Sequence, residues 1–419
     1  MAREAASLVR LFPQKSLPRN RPALHRILAF APDPGERKVT TPQPDRLNLR
    51  PRLRPRMSTH MSIQLTRRDF TLRAAGFGLA LGLTDHPLAQ SQQPSPSATP
   101  PPAADPYALV DPELLPPLKQ FPAYELTAEM VAKFRQIPSM APSPAPAPQP
   151  IERRIPGSPG APDVRLWIVD PAPSETSKPV LLYLHGGGFM MPDPMLQPHL
   201  QAIATECHCV VVSVDYRLAP ETRYPGSLED NYAALKWVHA HAAELGIDPA
   251  RIAVGGESAG GGHAASLAIH ARDRNEVPIA FQLLLYPQLD DRTGSTQPAP
   301  PAIGRFIWTE SANRLAWSSL LGVPAGSSAV PAVAVPARVA SVAGLPPAWI
   351  GVGSIDLFAE EDIEYARRLV HAGVPTELLV VRGAYHGFDL FVPSAEASRQ
   401  FSASWKSALR KAFTPGKPA

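Results

Sequence analysis

The chain has 419 residues, enough for two or three domains but also within the range of a single large one, and 44% of them are hydrophobic, as in an ordinary globular protein. Its formal net charge of +4 joins two unlike parts: residues 1–89 hold 16 Lys and Arg against 6 Asp and Glu, and the remainder hold 25 against 31. The larger part is therefore mildly acidic, which argues against nucleic-acid binding, and no stretch is apolar for the roughly 20 residues that a membrane span takes.

In chain order, residues 1–60 are rich in Pro and Arg, lack a helical or strand period, and are expected to be disordered. Translation starting at Met57 or Met61, with a mis-assigned start upstream, is preferred here over a basic interaction arm. Residues 61–89 read as a twin-arginine signal peptide. Thr66-Arg67-Arg68-Asp69-Phe70-Thr71-Leu72 precedes a mild apolar run, 74–83, and Pro87-Leu88-Ala89 offers a small-residue cleavage site. A periplasmic or secreted location follows; a chance Arg-Arg before an amphipathic helix is the alternative. Residues 90–104 form a Pro/Ser/Ala linker, and 138–150 a second one rich in Pro and Ala. Between them the pattern predicts short helices over 111–118 and 127–136, the second with Thr127 as N-cap and Leu126, Met130, Val131 and Phe134 as its apolar stripe.

Strands then alternate with helices, which argues for a mostly parallel, doubly wound α/β sheet. Strands are predicted over 164–169, 180–185, 209–214, 251–256, 279–286, 348–353 and 376–381, with helices near 197–206, 227–243, 259–273, 310–321 and 360–372. The segment 292–345 interrupts the alternation. Cys207 and Cys209 read as buried thiols: a bridge between them would close almost no loop, and with His208 they make too few ligands for a metal.

Several of these strands end in residues able to do chemistry. Gly256-Glu257-Ser258-Ala259-Gly260 stands between the strand at 251–255 and a helix-compatible run at 261–269. A serine on so sharp a turn needs small neighbours, exposes its hydroxyl, and lies at a helix N-terminus that favours negative charge. The strand at 179–184 runs into His185-Gly186-Gly187-Gly188-Phe189. Consecutive glycines present backbone N–H groups with no side chains in the way, as an oxyanion hole requires, and no Gly-Lys-Ser/Thr follows to make a phosphate loop. The last two strands lead into Asp356 and His386, so the order is nucleophile, acid, base.

These motifs resemble those of the hormone-sensitive-lipase-like bacterial esterases (family IV) of the α/β-hydrolase superfamily. So do Val214-Asp215-Tyr216-Arg217-Leu218-Ala219-Pro220-Glu221, Tyr286-Pro287-Gln288-Leu289-Asp290, Gly344-Leu345-Pro346-Pro347-Ala348, and Tyr365-Ala366-Arg367-Arg368-Leu369 before Ala372-Gly373-Val374-Pro375. The chain departs from the family's frequent pattern with Glu257 in place of Asp and with Asp356-Leu357-Phe358 in place of Asp-Pro-Leu.

The resemblance implies an α/β-hydrolase domain over 105–419, with a helical cap drawn from 105–137 and 292–345. It implies Ser258, Asp356 and His386 as the catalytic triad and Gly187, Gly188 and Ala259 as the oxyanion hole. The reaction so implied is hydrolysis of a small-molecule ester without metal or organic cofactor, favouring acyl groups of roughly two to eight carbons if the cap closes the pocket. Phe189, Trp308 and Phe388 are candidate pocket walls, with plain core, the commoner fate of an aromatic, as the alternative for each. Glu257 is expected to point away from the cleft in a hydrogen-bonding role, and Asp215 to pin a loop. The rival readings are a ligand-binding protein on an inactive hydrolase scaffold, which the intact Ser258 and His386 oppose, and an amidase or peptidase using the same triad. A homodimer is left open.

Overall fold

Strand β3 (Lys178–Leu184) shows how the chain divides its core. Leu181 and Tyr183 pack on one face of the sheet, and Val180, Leu182 and Leu184 on the other, so neither face meets solvent. A central parallel strand has to be apolar on both sides, and Lys178-Pro-Val-Leu-Leu-Tyr-Leu is so in all but its first residue.

The computed structural model describes residues 105–120, 125–136, 147–192 and 196–414, all within one unit of the chain. The expectations for residues 1–104, signal peptide and linker included, lie outside the described residues, as does most of the 138–150 linker. The sheet has eight strands in the order β1-β2-β4-β3-β5-β6-β7-β8. These are β1 (Ile151–Ile155), β2 (Val164–Val169), β3, β4 (Val210–Asp215), β5 (Ile247–Glu257), β6 (Phe281–Leu285), β7 (Ala348–Gly353) and β8 (Thr376–Val381). Only β1 and β2 run antiparallel to their neighbours; from β4 to β8 every pairing is parallel.

The helices are α1 (Leu115–Leu118), α2 (Ala128–Phe134), α3 (Leu196–Cys207), α4 (Gly226–Ala240), α5 (Ala242–Leu245), α6 (Ala259–Arg274), α7 (Glu310–Leu321), α8 (Ala359–His371), α9 (Phe388–Phe391) and α10 (Glu396–Ala412). Thr127 caps α2 as its sequence suggested, its hydroxyl accepting from the Met130 N–H. All the expected strands and longer helices are present. The helix expected over 227–243 is split, since α4 ends at Ala240 and a separate turn, α5, follows.

Besides the single-turn α9, two elements went unread in the sequence. Four of the five residues of β1 are exposed, so Ile-Glu-Arg-Arg-Ile has no apolar alternation to announce it. Helix α10 does carry a signal: Phe401, Trp405, Ala408 and Leu409 recur at helical spacing and are all buried.

The strand order turns around at β3, with β4 on one side and β5 on the other, and in open α/β sheets the ligand cleft lies outside the strand ends at such a point. Leu184 at the end of β3 pairs with Gly256 near the end of β5. The glycine loop and Ser258 therefore leave the sheet side by side. On the far side, Gly353 pairs with Val381, which delivers the Asp356 and His386 loops next to each other.

Candidate active site

Ser258 links β5 to α6 with φ 55° and ψ −122°, a conformation that L-residues rarely adopt. The glycines around it leave room for the end of β3. A Cβ on Gly256 would stand 2.0 Å from the Leu184 carbonyl oxygen, and one on Gly260 would stand 1.9 Å from the same atom. The Ser258 N–H donates to the Leu285 carbonyl at 2.9 Å, which ties the turn to β6.

His386 Nε2 lies 2.9 Å from Ser258 Oγ, and its Nδ1 lies 2.9 Å from Asp356 Oδ2. The other carboxylate oxygen of Asp356 accepts from the Phe358 N–H at 3.0 Å, which holds the group in one orientation. Phe358 and Tyr286 both present ring edges to the imidazole, at centroid distances of 5.1 Å. Serine, histidine and aspartate are all buried. With the proton on Nδ1 shared with Asp356, Nε2 is free to accept the serine proton.

The glycine loop is braced from beneath. Gly186 N–H donates to Glu257 Oε1 at 2.7 Å, and the Tyr183 hydroxyl donates to the other oxygen of the same carboxylate. Burial pushes the Glu257 carboxyl up to about 8, against the pull of the Gly186 hydrogen bond. Glu257 thus has the hydrogen-bonding part that the sequence suggested, and it contributes to the cavity wall as well. The next two amides, of Gly187 and Gly188, meet no protein acceptor among the described residues, and Ala259 is the first residue of α6, where N–H groups lack a helical partner. Gly188 has φ 59°, and a Cβ there would stand 2.3 Å from Cη2 of Trp308.

Ser258, His386 and the glycine loop open on a cavity of about 300 Å³. Its apolar wall comes from Leu126 and Phe134 of the N-terminal segment, Met191, Trp308 of the 292–345 segment, and Leu390 and Phe391 of α9. Of the three aromatics expected as walls, Trp308 is one. Phe189 and Phe388 are not: the first packs against His263 and Trp317, the second against Phe401. The loops turn their backbone toward the cleft and bury these rings, so that Met191 and Phe391, slightly further along, take the expected places. A larger cavity of about 510 Å³, lined by charged groups including Asp290, Arg292, Glu361 and Arg368, contains no triad residue.

Asp215 departs from expectation. It forms an ion pair with Arg165 at 2.5 Å across the β2–β4 pairing, since the end of β4 keeps it in strand register. The loop that follows is held instead by Asp230, which takes Arg217 at 2.7 and 2.8 Å. Arg135 was not singled out in the sequence. Just after α2, it donates to the carbonyls of Met190 at 2.7 Å and Ala219 at 2.5 Å and pairs with Glu221, fastening the N-terminal segment to the glycine loop. Nothing local marks it, because its partners lie more than fifty residues away.

Cys207 and Cys209 are buried and unbridged; burial pushes the Cys207 thiol up to about 11 and Cys209 well above its ordinary range. Among the described residues, no group of three or more His, Cys, Asp or Glu is arranged to hold a metal, and no helix is long and apolar enough to cross a membrane.

A family profile described as the α/β-hydrolase fold matches residues 181–390. Carboxylesterase NlhH of Mycobacterium tuberculosis is 37% identical over 321 residues, covering 72% of this chain and 96% of its own. Esterase LipI of the same organism is 36% identical over 256 residues, covering 57% and 74%. Among solved structures, one described as a bacterial heroin esterase aligns with a TM-score of 0.64 at 36% identity, covering 74% of this chain and all of its own. Esterase LipW from Mycobacterium marinum aligns at 0.63 and 33%, covering 73% and 97%.

Proposed function

Since this chain belongs to the hormone-sensitive-lipase-like (family IV) branch of the α/β-hydrolases and is a carboxylic ester hydrolase, we propose that it cleaves short-chain esters through an acyl-serine intermediate. The observation that carries this reading is the unbroken hydrogen-bond chain Ser258–His386–Asp356, at 2.9 Å in each link. Ser258 Oγ attacks the ester carbonyl while His386 Nε2 takes its proton. Asp356 holds the imidazolium. The backbone N–H groups of Gly187, Gly188 and Ala259 take the negative charge on the former carbonyl oxygen, aided by the N-terminus of α6. His386 then returns the proton to the departing alkoxide, and water, activated by the same imidazole, releases the acid.

The size of the cavity supports a short acyl group. About 300 Å³, walled by Leu126, Phe134 and Trp308, leaves limited room once the alcohol part is seated. In this reading, 105–137 and 292–345 act as the cap. A kcat/KM series over p-nitrophenyl esters of graded acyl length tests it: an optimum within roughly two to eight carbons is expected, and a steady climb to about sixteen would point to a lipase. An amide series on the same protein separates the esterase from the amidase reading.

Two further readings belong to the same proposal. Export by the twin-arginine route rests on Arg67-Arg68 and the apolar run after it; a Lys-Lys replacement should hold the precursor in the cytoplasm. A homodimer is proposed through β8, the last strand of the sheet among the described residues, where Leu378 and Val380 are exposed. Light scattering on the eluted protein should read twice the mass of one chain.

A further inference from the structure

One buried carboxylate beside the triad has no part in the mechanism above. Asp389 is the second residue of α9, three positions after His386. The Tyr286 hydroxyl, from the turn after β6, donates to its Oδ1 at 3.0 Å. The Tyr286 ring stands edge-on to the His386 imidazole and is stacked on Phe401 of α10. Tyr286 thus bridges the carboxylate and the catalytic base.

Resting on the acyl-transfer reading, we propose that Asp389 and Tyr286 are positioning residues for His386. The Asp389 carboxylate, fixed by the Tyr286 hydroxyl, is a second anion that joins Asp356 in favouring the imidazolium formed as Ser258 gives up its proton. Other groups stand around the pair among the described residues. Asp356, after β7, bonds the imidazole directly; Phe358 sets its ring 5.1 Å from it; Glu257, at the end of β5, lies within electrostatic reach of Asp389; Trp308 adds an indole; and Phe401 of α10 stacks on Tyr286. Burial pushes the Asp389 carboxyl up to about 6, while the Tyr286 hydrogen bond and the nearby His386 pull it down. Burial and the same carboxylate push the Tyr286 phenol well above its ordinary range, so it stays a donor. Asp389 is then ionised from neutral pH upward, where serine acylation needs a neutral imidazole.

The test is the pH dependence of kcat and kcat/KM for the full chain with p-nitrophenyl butyrate, in the parent, Asp389→Asn and Tyr286→Phe. Asp389→Asn keeps the shape and removes the charge. Plateau kcat should fall about 3- to 30-fold with KM within about twofold, and the acid limb should move down by about half a pH unit or more, because the imidazolium has lost an anion. Tyr286→Phe keeps the ring and removes only the donor. Asp389 should then hold its proton to higher pH, and the acid limb should move up. A merely structural role predicts no such pair of opposite shifts. Variant profiles that superimpose on the parent after scaling would overturn the proposal. Should Asp389→Asn fail to fold, the upward shift in Tyr286→Phe decides alone, and its absence is fatal. A parent with no ester turnover sinks the acyl-transfer reading and this proposal together, whereas an active parent with unshifted variants sinks only this one.

Discussion

The two halves of the site are held by different means. Ser258 and the glycine loop leave the middle of the sheet, from β5 and β3, where backbone meets backbone: Gly256 and Gly260 lie against the Leu184 carbonyl, and Ser258 sits in a rarely adopted conformation. His386 comes from the loop after β8, an edge strand with Leu378 and Val380 exposed, and is held by side chains: Asp356, Phe358 and Tyr286. With Ser258 as the proposed nucleophile and His386 as the proposed base, the nucleophile half is therefore expected to be inseparable from the fold, whereas the base half should tolerate changes in its chemistry with the fold kept. Strain at the serine is tolerated because the packed strands around it overdetermine its backbone.

The largest difference should come from one methyl group in the nucleophile half. Gly256→Ala places a Cβ against a backbone oxygen that cannot move without breaking the β3–β5 pairing, so little folded protein is expected. Soluble yield and circular dichroism read the result; a folded, active variant would mean that the end of β3 is looser than described. In the base half, Asp356→Asn should leave a normal melting curve but cost on the order of 10⁴ in kcat, the magnitude found for the corresponding change in the serine-protease triad. A loss below about tenfold would show that Asp356 does not orient His386.

Trp308 belongs to neither half but closes the cavity over Gly188 and faces His386. Trp308→Ala should move the acyl-length optimum to longer chains, each newly accommodated methylene adding about 0.8 kcal/mol, or roughly fourfold in kcat/KM. An unmoved optimum would take Trp308 out of the acyl pocket.

The smallest effect is on stability. Burial raises Glu257 from 4.5 to about 8, so the folded chain holds a proton that the unfolded chain releases above 4.5. The stabilisation is complete below 4.5 and is lost as pH rises through about 8; Asp389, raised from 3.8 to about 6, has the same sign. Melting temperature should therefore fall by a few degrees between pH 6 and 8.5, and Glu257→Gln should flatten much of that slope. A parent that grows more stable across this window would contradict the burial of a neutral Glu257.

The halves also differed in how far the sequence revealed them. Gly256–Gly260 and His185–Gly188 are continuous motifs, since backbone geometry at a turn is written in adjacent residues. Asp356 and His386 were found because each follows an apolar strand. What surrounds His386 was not found: Tyr286 and Asp389 are 103 residues apart, and neither has a local pattern that marks the pairing. The same reason hid Arg135 and misassigned Asp215. For Phe189 and Phe388 the sequence left wall and core both open, and core is what they are, because composition does not tell which way a loop turns its rings. Strand β1, mostly exposed, had no pattern to read.

The central claim is that Ser258 is the nucleophile, activated by His386. Treating the full chain with a serine-directed fluorophosphonate and mapping the adduct by mass spectrometry tests it directly. One adduct per chain, on Ser258, formed in step with loss of ester turnover and absent in His386→Ala, is the expected result. Ester turnover that persists through complete labelling of Ser258, or an inactivating adduct on another residue, would contradict it.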